Sequence, residues 1–429
     1  MLVGDNEATF ETKSSLIEAA IPVRILHVIK SVNPSGGGPI EGIKQLGTSL
    51  ASAGHCVEVA SLDEPDADYL ANFPLPVHPL GPAKLKYGFN RRLVPWLRAN
   101  RGHYDVVVVN GIWQYHSYGT WRALRNSSTP YVLFTHGMLD PWFKKRYPLK
   151  HLKKWMYWPW AEYRVLCDAR AVLFTCEEER RLARSSFWLY RCNEVVISYG
   201  TAEPKGDPEL ERQEFFAHYP ELRGKKLALF MGRIHPKKGC DLLIEAFARV
   251  LGSDPEWQLV IAGPDQVRWQ KQLSARALEL GLGSRVTWLG IVSGSMKWGA
   301  IRAAEVFVLP SHQENFGIAV AEALAAGVPT LISNKVNIWR EIDSDGAGMV
   351  SEDNLQGTCN LLRSYVEMPL DRKLSMRRAA VECFIQRFEV KKAAQIFGTL
   401  LISVTEANQP NKLRAARAFS GKTLSKNEQ

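Results

Sequence analysis

Nowhere in the 429 residues does an apolar run reach 18, so no segment has the length and composition of a membrane-spanning helix. The opening stretch, MLVGDNEATFETKSS, lacks the basic-then-apolar order of a secretion signal. Export and membrane spanning are therefore disfavoured, and a cytoplasmic location is expected. The seven cysteines (Cys56, Cys167, Cys176, Cys192, Cys240, Cys359 and Cys383) are odd in number and scattered, with no CxxC pair. That excludes a disulfide framework or a zinc site as the organising principle and fits reduced thiols. The GxGxxG spacing of nicotinamide-binding proteins is also missing, although Asp63 could pass for the carboxylate at the end of the second strand.

The chain does carry 46% apolar and 23% charged residues, ordinary for packed protein and sufficient for two domains. The formal charge of +10 is uneven: residues 141–170 hold eight Lys/Arg against Glu162 and Asp168, a local +6. Such a stretch favours an anionic neighbour.

Short Val/Ile/Leu-rich runs alternate with stretches of helical periodicity, the pattern of parallel sheets covered by helices on both faces. The spacing predicts strands near 23–30, 57–61, 105–110, 131–135, 171–175 and 194–198, forming one doubly wound α/β domain over 23–198. Residues 199–224, rich in Pro, Gly and charge, read as a linker. A second series, near 227–231, 257–262, 286–289, 306–309 and 329–333, predicts a second such domain over 225–390. Residues 1–22 read as an N-terminal extension and 408–429 as a basic, frayed tail. Ligands of such sheets bind at the carboxyl ends of the strands, so two facing domains place the ligand in the crevice between them.

Three segments at predicted strand ends could carry chemistry. After the first strand, Ser35-Gly36-Gly37-Gly38-Pro39 opens a helix, where backbone N–H groups and the positive end of the dipole can approach phosphate. Glycine turns also occur there for steric reasons alone. The second domain opens with Gly232-Arg233-Ile234-His235-Pro236-Lys237-Lys238-Gly239. Arg233 can bind phosphate oxygens bidentately and Lys238 can act as a point charge, although a solvated basic turn reads the same way. In Pro310-Ser311-His312-Gln313-Glu314-Asn315-Phe316-Gly317, followed by an Ala-rich helix holding Glu322, two carboxylates stand eight positions apart. On a continuous helix that is a rise of about 12 Å, beyond the roughly 5–10 Å of a hydrolytic pair. The separation suits two grips on one long ligand, with the N–H groups of Asn315, Phe316 and Gly317 open to phosphate.

Taken in order, GGGP, Thr135-His136-Gly137, GRIHPKKG and ENFGIAVAEALAAGVPTLIS resemble the retaining glycosyltransferases of family 4, the group 1 transferases, over about residues 23 to 390. The resemblance implies a GT-B fold, two Rossmann-like domains with the donor held mainly by the second, and a final helix, here 391–407, crossing back to the first. It implies that Glu314 holds donor-sugar hydroxyls, Glu322 the ribose, and Arg233 and Lys238 the diphosphate. Gly37 and Gly38 would approach the phosphates from the opposite side, with His136 beside the sugar. The implied reaction is a front-face substitution in which the leaving phosphate helps to deprotonate the acceptor, with no cofactor and no metal. The expected substrates are a nucleotide-diphosphate sugar and a lipid-linked or saccharide acceptor, in polysaccharide assembly.

Ser198-Tyr199-Gly200 departs from the family's usual Pro-Asn-Gly at the domain junction. Asp66-Ala67-Asp68 and Asp343-Ser344-Asp345 have the form used by metal-dependent transferases, but their turn context reads as solvated. A nucleotide-sugar epimerase and a basic protein binding nucleic acid or anionic lipid are the competing readings; no nucleic-acid module is present. Finally, residues 141–164 place Lys150, Lys153, Lys154 and Tyr157 on one helical face, with Leu149, Leu152 and Met156 expected inward. Four tryptophans lie nearby, a combination that suits an anionic membrane surface.

Overall fold

The computed structural model describes residues 22–146 and 148–408; the extension before residue 22 and the tail from 409 lie outside the described residues. Two wholly parallel sheets organise the chain. The first takes β1 (Arg24–Ile29), β2 (Cys56–Ser61), β3 (Val77–Pro79), β4 (Val106–Asn110), β5 (Tyr131–Phe134), β6 (Ala171–Phe174) and β7 (Glu194–Val196), in the order β3-β2-β1-β4-β5-β6-β7. The second takes β8 (Lys226–Met231), β9 (Trp257–Ala262), β10 (Val286–Gly290), β11 (Ala304–Leu309), β12 (Thr330–Ser333) and β13 (Gly348–Ser351), in the order β10-β9-β8-β11-β12-β13. The central strands are buried on both faces, as their unbroken apolar runs require. Two strands escaped the sequence reading, β3 (VHP) and β13 (GMVS). Both are sheet edges whose mixed composition carries no continuous apolar run.

The stretch read as a linker contains a helix, Pro208–His218, started by the Asp207 carboxylate, which accepts from the N–H groups of Glu209 and Leu210. The helix lies against Gly294–Ala303 so closely that a Cβ at Gly299 would stand 2.3 Å from the Glu211 carbonyl oxygen. Arg302 and Glu211 pair at 2.7 Å in the same contact. Its low apolar content hid it, because an ion pair and Phe215 do the docking. At the other end of the chain, Val390–Asn408 returns to the first domain and packs on the helix Gly38–Ser52, with Phe397 edge-on to Phe134.

The helix Pro148–Tyr157 is turned opposite to expectation. Leu149 is 78% exposed, and Leu152, Trp155 and Met156 are exposed with it. Lys154 faces inward over the Trp113 ring at 4.5 Å. The Tyr157 hydroxyl meets that of Tyr87, and Trp158 is fully buried, stacked on Phe187 at 4.2 Å. Docking through an ammonium over an aromatic face leaves the aliphatic side in solvent. Burial holds Lys154 down to about 8, opposed by Glu162, itself raised to about 7 by burial.

Candidate functional site

The loops at the carboxyl ends of β8 and β11 build one wall of the cleft. After β8 the chain makes a short 3-10 turn, Pro236–Lys238, then the helix Cys240–Leu251. Lys238 is buried there and forms an ion pair with Glu314, from the loop after β11. Burial, then Lys237 and Arg233, pull the Lys238 pKa well below the ordinary lysine value. The Glu314 carboxylate is the counter-charge in direct contact with it. Arg233 is exposed and makes no ion pair among the described residues.

The helix after β11 begins only at Ile318, with Gly317 at φ 76° before it. Glu314 therefore sits in a turn ahead of the helix, and the helical rise applied to the Glu314–Glu322 interval holds for only half of it. Among the described residues the N–H groups of Phe316 and Gly317 have no acceptor. Asn315 departs from expectation: its N–H is taken by Glu314 Oε1 at 3.1 Å, so it is not open to phosphate. Glu322 is buried and accepts from Lys297 Nζ at 2.8 Å. Burial raises its pKa, Lys297 opposes, and Glu41 across the cleft adds to the rise. Glu322 thus faces the helix Gly38–Ser52, whose glycine start was expected on the far side of the ligand.

In the first domain that start is open. Gly37 takes φ 75°, and a Cβ at Gly37 or Gly38 would touch nothing within 4 Å. His136, after β5, is half-buried at φ 50°, between Phe134 (5.5 Å) and Tyr199 (5.4 Å). Its Nε2 is buried without a partner. Desolvation, then His116 and His27, hold its pKa down at about 3, so the ring is neutral. His27 (β1) and His116 are fully buried beside it, also neutral, at about 4 each. His27 Nδ1 contacts the Asn110 amide at 3.2 Å and His116 Nε2 the Asn110 carbonyl oxygen at 2.8 Å.

The walls meet through Glu179, a residue the sequence did not single out. Its buried carboxylate accepts from the Gly137 N–H (2.5 Å), Thr135 Oγ1 (2.6 Å), the Thr175 N–H and Oγ1 (2.7 Å each) and, from the second domain, Asn315 Nδ2 (3.1 Å). Gly137 has φ 71°, and a Cβ there would come within 2.7 Å of Asn315 Oδ1. Nearby, Arg340 bonds Glu178 at 3.1 Å. Tyr199 joins His136 to Phe316, its ring 6.4 Å from the latter. Glu179 and Lys297 belong to no short motif, Tyr199 stands in the Ser198-Tyr199-Gly200 junction, and only a carboxylate three positions past Thr175-Cys176 hinted at the first. Of the paired aspartates, Asp345 is held by Arg387 at 2.6 and 2.7 Å.

Residues 37–200 match the family described as Glycosyl transferase 4-like domain, and residues 211–379 match Glycosyl transferases group 1. Over 376 residues, 86% of this chain and 93% of the relative, the sequence is 24% identical to GDP-mannose:cellobiosyl-diphosphopolyprenol alpha-mannosyltransferase of Xanthomonas campestris. It is 25% identical over 180 residues to the lipopolysaccharide core biosynthesis mannosyltransferase LpsB of Rhizobium meliloti, a match spanning 40% of this chain and half of that protein. Among solved structures, sucrose-phosphate synthase from Thermosynechococcus elongatus superposes with a TM-score of 0.73 at 20% identity, over 90% of this chain and 100% of that one. Anabaena Alr3699/HepE, solved with UDP and glucose, gives 0.72 at 18%, over 89% and 100%. With the two sheets facing across a cleft that gathers these motifs, the chain belongs to the group 1 glycosyltransferases of GT-B fold, enzymes that transfer sugar from a nucleotide-sugar donor.

Proposed function

We propose that this transferase retains the anomeric configuration, needs no metal, and builds a polysaccharide at the cytoplasmic face of a membrane on a lipid-linked or saccharide acceptor. The observation that carries the reading is the Lys238–Glu314 ion pair beside the open N–H groups of Phe316 and Gly317. In the free enzyme Glu314 is the anion that Lys238 meets. A donor diphosphate takes that place, with Arg233 as second cation and the open amides of Gly38, Phe316 and Gly317 as donors; the Gly37 N–H, expected among them, is taken by the Pro34 carbonyl oxygen. Glu314 is then free to hold sugar hydroxyls, while Glu322 and Lys297 hold the ribose. The leaving phosphate, stabilised by the two cations, takes the acceptor proton on the face it leaves. Neutral His136 offers a ring nitrogen to the sugar and no charge.

Activity is expected to survive EDTA. Thermal stabilisation by a panel of UDP-, GDP- and ADP-sugars should identify one donor base. Complete loss in EDTA that magnesium or manganese restores would overturn the metal-free mechanism.

The membrane part of the proposal is supported by the exposed Leu149, Leu152, Trp155 and Met156, with Trp188 beside Trp155 at 6.1 Å and exposed Lys150 and Lys153 alongside. Apolar side chains flanked by lysines suit an anionic lipid interface. Among the described residues no helix is long and apolar enough to cross a membrane. Relatives named for lipopolysaccharide core synthesis and for a diphosphopolyprenol acceptor point the same way. Vesicles of phosphatidylserine and phosphatidylcholine should co-sediment the wild type but not a Leu149→Ser, Leu152→Ser, Met156→Ser variant; equal sedimentation of both would remove this part.

A further inference from the structure

An aromatic bowl of about 380 Å³ lies in the first domain, outside the donor wall, lined by Tyr87, Phe89, Tyr115, Tyr118, Tyr157 and Trp160 with Arg122 at its rim. Three separate elements supply it. Tyr87 and Phe89 come from a small antiparallel turn closed by the Lys84–Phe89 bridge. Tyr115, Tyr118 and Arg122 lie on one face of the helix Tyr115–Leu124, and Tyr157 and Trp160 close the bowl from the end of the helix Pro148–Tyr157.

The rings lock one another by their edges. Tyr87 meets Tyr115 and Tyr157 at 6.0 Å each (71° and 80°), Phe89 meets Tyr115 at 4.9 Å (63°), and Trp160 meets Tyr157 at 4.8 Å (74°) and Tyr118 at 6.5 Å (87°). Edge-to-face packing fixes the rings without covering all their faces. The Tyr115 and Tyr118 hydroxyls have no protein partner among the described residues and are not sealed from the surface; Arg122 is exposed and makes no ion pair there.

A core cluster would bury its faces and satisfy its hydroxyls. This one offers electron-rich faces, two free hydroxyls and one guanidinium, the complement of a pyranose ring whose C–H faces are apolar, whose rim is hydroxylated and which carries one anionic group. The bowl also sits between two regions already described. Tyr115 and His116 are sequence neighbours: His116 bonds the Asn110 carbonyl oxygen at the end of β4, beside His27 and His136, while Tyr115 enters the bowl. Tyr157 and Trp160 adjoin the helix whose outer side exposes Leu149, Leu152 and Met156.

We infer that this bowl is an acceptor subsite for a saccharide bearing a phosphate, the ring stacked on Tyr118 with its edge against Trp160 and the phosphate held by Arg122. The inference rests on the transferase reading only for the word acceptor; the binding chemistry stands on the bowl itself. Saturation-transfer NMR with cellobiose, cellobiose 1-phosphate and cellobiosyl diphosphate linked to a short isoprenyl chain tests it on the full chain without donor. The wild type should bind the phosphorylated probes at least tenfold more tightly than cellobiose. Arg122→Gln should erase that preference, Tyr118→Ala should weaken all three probes, and Tyr118→Phe should keep the stacking. Tighter binding of the isoprenyl probe than of the 1-phosphate would assign a lipid-linked source, and equal binding a soluble phosphosugar; either supports the site. Thermal stabilisation by nucleotide sugars, followed in the same preparations, should be unchanged in all variants. Unchanged saccharide binding in Tyr118→Ala and Arg122→Gln, or none by the wild type, would overturn the inference. Loss of nucleotide-sugar stabilisation in the wild type alone would count against the transferase mechanism and leave the bowl standing.

Discussion

At the cleft the second domain presents charged groups in pairs, Lys238 with Glu314 and Lys297 with Glu322, whereas the first presents three neutral histidines with unpaired ring nitrogens. On the proposed reading the donor brings a dianionic diphosphate, and a site that must be stable both empty and full needs cations with an internal anion to exchange. The acceptor side handles hydroxyls, and a fixed charge there would hold water that the reaction has to exclude. The difference follows from burial: on the second domain's wall each of these desolvated charges has a counter-charge, and at the three histidines desolvation has been met by removing the charge altogether.

Acid should break this contrast most severely. Above the unfolded-state pKa of about 6.5 the histidines are neutral in both states and contribute nothing. As pH falls below that value the unfolded chain takes up protons that the folded chain refuses, so stability declines until about pH 4, where His27 and His116 would charge in place. Over that window each of the two histidines costs roughly 3 kcal/mol of stability. The melting temperature should therefore fall steeply between pH 6.5 and 4.5, and His27→Gln or His116→Gln should flatten the slope. A flat profile in the wild type would mean that the buried rings are solvated.

The next largest effect separates the two donor-wall pairs. Glu314→Gln leaves Lys238 buried without its counter-charge and, on the proposed reading, removes the grip on the reacting sugar, so kcat should fall by about 10²- to 10³-fold. On the same reading Glu322→Ala acts at the remote ribose and should raise the donor KM about tenfold with kcat nearly unchanged. Wild-type kinetics in both variants would dissolve the assignment.

The same asymmetry decides what could be read from the sequence. The second domain's side of the cleft is made of loops in which neighbours in sequence are neighbours in space, so GRIHPKKG and ENFG put Arg233, Lys238 and Glu314 forward as candidates. That Lys238 and Glu314 pair with each other was not visible, because 76 residues separate them. The histidine cluster gathers His27, Asn110, His116 and His136 from three strand ends and a helix, and no spacing rule connects them. Pro148–Tyr157 was placed correctly as a helix and turned the wrong way, because periodicity finds an amphipathic helix without saying which side a protein chooses to bury. Here Trp113 and Glu162 took the side of Lys154 and Tyr157, while Lys150 and Lys153 stayed exposed.

The smallest effect sharpens the comparison where the two halves touch. Arg340 reaches from the second domain to Glu178 at 3.1 Å, but its side chain is about half exposed and Glu178 keeps Arg181 as a second partner. Glu179, one residue on, is buried and holds Asn315 through the shared hydrogen-bond cluster. Glu178 is itself buried, but with Arg340 half exposed and Arg181 left as its counter-charge, the loss of this one pair is worth about 1 kcal/mol and is screened by salt. Arg340→Gln should therefore shift the melting temperature by only a few degrees at low salt and change the donor KM less than about threefold, with both differences vanishing in about 0.5 M salt. If the variant instead loses donor binding outright, and salt does not narrow the gap to wild type, the halves are held in register by Arg340 rather than by the Glu179 cluster. The neutral first domain would then owe its alignment with the charged one to a surface charge.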